Sequence, residues 1–218
     1  MTTDSNTEVA DELRTLDALA ARHDLIALHA RAIQVGLDVV DEVARVDLAK
    51  PTPCADWTLH GLLTHMIAQH YGFAAAARGD ADPRHWKTRP LGPDPAEDYR
   101  AAAEHVLAAF AEPGVLDRRF PLPEFSADFR FPGTQAVSFH FIDYVVHAWD
   151  VAKTLGFPVH FDGEVLAAAL PIAAAVPGGD VRLAPGAAFG PAVPWPDGRT
   201  LDAIVAMLGR APGWPDAP

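Results

Sequence analysis

Between Phe139 and Asp150 every position but four is apolar or aromatic, and the four exceptions are His140, Asp143, His147 and Asp150. They advance by three, four and three residues, so on a helix turning about 100° per residue they form one stripe. Asp143 and His147, four apart, sit one turn from each other and can converge on a single atom. The same stripe also fits a core helix with one solvated edge. Solvated edges, however, mostly use Lys, Glu and Arg, and the bulky flanks Phe139, Phe141, Val146 and Trp149 argue for burial on both sides. A carboxylate and an imidazole taken out of water need each other or a metal to offset their desolvation. Upstream, His65 lies among Leu62, Met66 and Ile67. It is a candidate third ligand, although a histidine so placed is more commonly a core or edge residue. His60 and His70 are each five residues from His65, about 140° round the helix, and face elsewhere. His23, His29, His85, His105 and His160 have no partner spacing and read as surface or core residues.

The elements that must position these groups are helical. Apolar residues recur at helical spacing from Glu8 to about Val46, after a polar start (residues 1–7) expected to be disordered. Pro51 and Pro53 break the pattern. Thr58 is a suitable N-cap for a second helix from Leu59 to about Ala77, stopped near Gly79. Residues 78–95, with four prolines and two glycines, predict a long loop. Its Arg84, His85, Trp86 and Arg89 either cover a pocket or are simply solvated. Asp94-Pro95-Ala96-Glu97 starts a third helix, reaching about Ala111. Residues 118–132 predict one or two short strands at most. The fourth helix, which carries the stripe, opens at Gly133 or Thr134 and runs to Leu155. Asp162 can cap a fifth, with Pro171 as a kink or break, and Thr200 a short last one ending near Gly209. No repeat, linker or coiled-coil heptad divides the chain, so the expectation is one domain over 1–218, with 157–218 an extension packed on a helical bundle.

Composition narrows the partners. With 29 acidic and 17 basic residues among 218, the formal charge is −12. No basic footprint exists to neutralise phosphates, which argues against nucleic acid, and the same acidity argues against an anionic membrane surface. The single cysteine, Cys54, excludes an internal disulfide and suits a reducing compartment. Without a signal-peptide pattern or an apolar run of about 20 residues, the expected location is the cytoplasm.

Three motifs carry a family resemblance. Thr52-Pro53-Cys54, Trp57-Thr58 and Leu62-Leu63-Thr64-His65 resemble the TPCPGWT…LLxH signature of the DinB-like superfamily, in the actinobacterial branch related to the N-terminal domain of mycothiol-dependent maleylpyruvate isomerase. His140-x-x-Asp143-x-x-x-His147-x-Trp149-Asp150-Val151-Ala152 is similar to that branch's second motif, and Leu208-Gly209-Arg210-x-Pro212-x-Trp214 to its ending. The resemblance implies a mainly all-α protein, a DinB-like four-helix bundle with long crossover connections and at most short strands in the loops. It further implies a divalent metal (zinc foremost, nickel or iron as alternatives) whose ligands, matched residue by residue, are His65, Asp143 and His147. Three departures stand out: Asp143 replaces a longer Glu, Asp56 stands where Gly is usual, and residues 157–218 are too few for the larger C-terminal domain of the isomerases.

The chemistry implied is that of a catalytic metal site, since three protein ligands leave coordination positions open. By resemblance, a low-molecular-weight thiol such as mycothiol would be activated there and attack a small electrophilic substrate, giving S-transfer or isomerisation. His140 and Asp150 would then orient ligands or carry protons. Trp57 and Trp149 read as packing anchors and Cys54 as part of the turn. A metal-dependent hydrolase without thiol, and a non-catalytic metal- or ligand-binding protein, remain alternatives. A homodimer is compatible with the class.

Overall fold

A computed structural model describes residues 24–54, 57–184, 187–195 and 201–216. The protein is mainly α-helical. Four helices make a bundle: α1 (Leu25–Val40), α2 (Leu59–Ala77), α3 (Pro95–Phe110) and α4 (Gly133–Leu155). Two more follow, α5 (Gly163–Ala175) and α6 (Leu201–Met207). The strand content of the described residues is one antiparallel pair, β1 (Arg119–Pro121) with β2 (Arg130–Pro132), in the register Phe120 opposite Phe131.

Local chemistry sets the helix ends. The Asp24, Thr58, Asp94 and Asp162 side chains each accept a hydrogen bond from the first turn of the following helix, satisfying amides that have no intrahelical partner. Gly156 ends α4 with φ +84°, a left-handed conformation that a side chain would strain. The first helix ends at Val40, six residues before the apolar periodicity fades. Asp41 and Glu42 follow it directly, and acids at a helix C-terminus oppose the macrodipole; the chain turns and continues as a 3-10 segment, Arg45–Ala49. Pro171 lies inside α5. The expected helical start at 8–23, the disordered 1–7, the Asp56 turn and the Thr200 cap lie outside the described residues.

Packing gives the topology. At one end of the bundle Leu59 packs with Val39, Val40, Val151 and Ala152. At the other, Phe73 and Ala77 pack with Leu25, Val106, Phe110, Ala136 and Val137. Helices α1 and α4 therefore run together, with α2 and α3 opposite to them. Because α2 and α3 are parallel, residues 78–94 must cross the length of the bundle. This crossover is pinned by Trp86, 6% exposed, whose ring packs on Phe73 and over Gly72. Arg84 and His85 pair with Asp82 and Asp80, and Arg89 lies over Tyr71. A third apolar cluster seats α5 and α6 on α1 and α4 through Val165, Ile172, Ile204 and Val205.

Candidate metal centre

Helices α2 and α4 are antiparallel neighbours, and their facing stripes meet about two turns inside the bundle. His65 of α2 and Asp143 and His147 of α4 each offer a ligand atom, all within 4.8 Å of one another. His147 Nε2 lies 3.3 Å from Asp143 Oδ1, and the His65 ring meets the His147 ring edge-on at 5.4 Å. His147 is 3% exposed, whereas the Asp143 side chain keeps 20% exposure, so the cluster opens to solvent on the Asp143 side. Two imidazoles and a carboxylate are a donor set that suits a first-row divalent cation. The 3.3 Å between His147 Nε2 and Asp143 Oδ1 is what two bonds of about 2.0–2.2 Å span at a tetrahedral angle.

The surroundings orient these donors. His147 Nδ1 donates to Asp150 Oδ2 at 3.0 Å, which leaves Nε2 directed at Asp143. Asp150 is fully buried and also accepts from Arg210 Nη2 at 3.2 Å. Arg210, 4% exposed, comes from the segment after α6 and reaches back into the bundle. It donates as well to the Leu208 carbonyl and to Cys54 Sγ, at 3.0 and 3.3 Å. Trp57 packs against His65, its ring 4.6 Å from the imidazole, and His65 keeps partial exposure. Trp149 is buried in the cluster that seats α5 and α6.

Burial dominates the electrostatics and specific partners decide the outcome. Desolvation, with the charge of His147 second, pushes the His65 imidazole down to about 4, so it is neutral at pH 7. Desolvation also opposes charge on His147, but Asp143 and Asp150 outweigh it and raise the group to about 9. Asp143 is held below the usual carboxylate range because His147 and His65 outweigh its own burial.

His140 stands apart from this arrangement. Its ring nitrogens bond His29 of α1 (2.8 Å) and His70 of α2 (3.2 Å), and not a member of the triad. The three imidazoles form a fully buried chain, flanked by Tyr144, which stacks on both His70 and His140, and by Phe73 and Phe110. His140 is thus a core residue two turns from His147, and His29, which shows no partner spacing in the sequence, is its partner in space. Arg210 is the residue that sequence reasoning underused: it carries part of the C-terminal motif, but nothing local ties it to a helix 60 positions upstream.

A profile of the mycothiol maleylpyruvate isomerase N-terminal domain matches residues 29–152. The chain is also similar to an uncharacterized protein of Mycobacterium tuberculosis, found in strains CDC 1551 and H37Rv, at 31% identity over 188 residues, covering 86% of this chain and 98% of the relative. No solved structure matches the chain significantly. Among the described residues no helix is long and apolar enough to cross a membrane.

Proposed function

Because the chain belongs to the mycothiol maleylpyruvate isomerase N-terminal-domain family, we propose that it is a divalent-metal-dependent thiol S-transferase or isomerase acting on a small electrophile, with mycothiol or a similar thiol as co-substrate. The observation that carries this reading is the convergence of His65, Asp143 and His147, with the second nitrogen of His147 held by Asp150. Zinc is the ion we favour, since it accepts nitrogen and oxygen donors without demanding a particular geometry. When bound, such an ion supplies Lewis acidity that lowers the pKa of a thiol brought to it.

The protein's own residues prepare the site for that ion. Asp150 fixes the tautomer and ring orientation of His147, and Arg210 fixes Asp150 in turn. Trp57 packs its ring against that of His65, which keeps partial exposure. The part-exposed face of Asp143 is the side from which thiol and electrophile would approach.

Elemental analysis of untagged protein tests the reading. About one equivalent of zinc, nickel or iron per chain is expected, removable by a chelator and accompanied by a fall in Tm. His147→Ala should lose the ion while retaining helical circular dichroism. A variant that keeps full occupancy, or a wild-type protein that neither retains nor is stabilised by any of these ions, would end the proposal.

A further inference from the structure

One helical turn along the bundle from the triad, two residues of α2 and α4 are contacted by two consecutive residues of the hairpin loop. One turn from His65 along α2 is Gln69; one turn from Asp143 along α4, in the reverse chain direction, is Phe139. Since the two helices are antiparallel, both steps of about 5.4 Å lead the same way along the bundle. There, between β1 and β2, Glu124 and Phe125 bridge the pair. Gln69 Nε2 donates to Glu124 Oε2 at 2.7 Å. Phe125 stacks on Phe139 with ring centroids 5.4 Å apart and planes inclined by 24°. Phe125 is nonetheless 49% exposed. Phe131 meets the same ring edge-on at 5.9 Å, and the half-exposed remainder of the Phe125 ring offers apolar surface to a ligand.

The polar end of the wall has a definite sense. Gln69 spends an amide N–H on Glu124, and among the described residues no basic side chain pairs with Glu124. What remains for a ligand is the Glu124 carboxylate and one further N–H of Gln69; Asp143, one turn below, is already balanced by His147 at 3.3 Å. Resting on the reading of the triad as a metal centre, we propose that Glu124 and Phe125 form the recognition wall of the substrate site. The wall selects a molecule with a flat apolar body, aryl or conjugated, and a hydrogen-bond-donating head that is neutral or cationic. A dicarboxylate is disfavoured at this wall by charge alone.

Benzylamine, benzyl alcohol and benzoate are the probes, titrated by NMR into chelator-treated and zinc-loaded protein with the Gln69 side-chain amide as reporter. Benzylamine should shift that resonance in both forms and bind the chelator-treated form about tenfold more tightly than benzoate. Phe125→Ala should weaken benzylamine and benzyl alcohol by about tenfold with the fold intact, because it removes an exposed ring and its stack. Glu124→Gln should erase the preference for benzylamine over benzoate while leaving benzyl alcohol bound. Equal affinities in wild type and Phe125→Ala, a preference for benzoate in the chelator-treated form, or an unmoved Gln69 amide would overturn the proposal. Zinc content of the same samples separates it from the metal reading. Zinc bound with probes ignored removes the wall alone; probes bound as expected without zinc uptake removes the metal centre alone.

Discussion

At the scale of the residue, the buried imidazoles divide by their neighbours. His147 faces two carboxylates and is raised to about 9, while His29, with no acid beside it, is pushed by burial down to about 3. His70 and His140 are also held well below the ordinary imidazole range, by burial first and by neighbouring histidines second. The chain His29–His140–His70 is therefore neutral in the folded protein, whereas in the unfolded chain each group titrates near about 6.5. The unfolded state binds more protons below that value, so stability is present above it and is lost as pH falls from about 6.5 toward the depressed folded values. With these three and His65, itself lowered to about 4, taking part, the slope approaches about 5 kcal/mol per pH unit. Urea midpoints at pH 7, 6 and 5 should fall progressively, and His29→Phe should reduce the slope by one proton. A midpoint constant from pH 7 to 5 would show that these histidines are charged in the native state.

At the scale of the element, the crossover 78–94 shows how a loop of irregular sequence is fixed. An atom at the Cβ position of Gly72 would lie 2.4 Å from the Trp86 ring, so only glycine lets this indole lie against α2. Gly72→Ala is expected to displace Trp86 and destabilise the protein by about 1–3 kcal/mol, the usual penalty for overpacking. Chemical denaturation measures the change, and Trp86→Ala in the same background should show much less than the sum of the two single effects. Additive effects would mean that the two residues do not touch. The hairpin loop, by contrast, is anchored at two points, Gln69–Glu124 and Phe139–Phe125, each one turn from the triad, which suits a segment that shapes a site.

At the scale of the whole molecule, the C-terminal segment completes the bundle. Arg210 is the cation facing buried Asp150, and Lys153 Nζ donates to the Pro212 carbonyl at 2.7 Å, so the residues after α6 are tied to α4 at two places. Arg210→Ala removes one of the two partners of buried Asp150, His147 being the other, and should cost about 1–3 kcal/mol. Adding Asp150→Ala to it should recover part of that loss, since no charge is then stranded. The metal should respond differently: Asp150→Ala alone is expected to weaken its affinity by about 10- to 100-fold through His147. Denaturation and metal titration of the four members of this cycle separate the two effects. If Arg210→Ala proved neutral in stability, the ion pair would not be the tie described.

The sequence by itself determined the helical class, the boundaries of α2, α3 and α4, and the pairing of Asp143 with His147, because capping residues, glycine stops and i,i+4 spacing are local and act wherever the segment lies. The family motifs added His65. Tertiary structure decided what local spacing cannot carry. It turned His140 inward to His29 and His70, although the stripe makes it equivalent to His147, because the interior it meets holds imidazoles and not the triad. It brought Arg210 to Asp150 across 60 residues, and seated Glu124 and Phe125 one turn above the triad from a loop without periodicity. These depend on which helices are neighbours and in which direction they run, and that follows from burying several apolar faces at once.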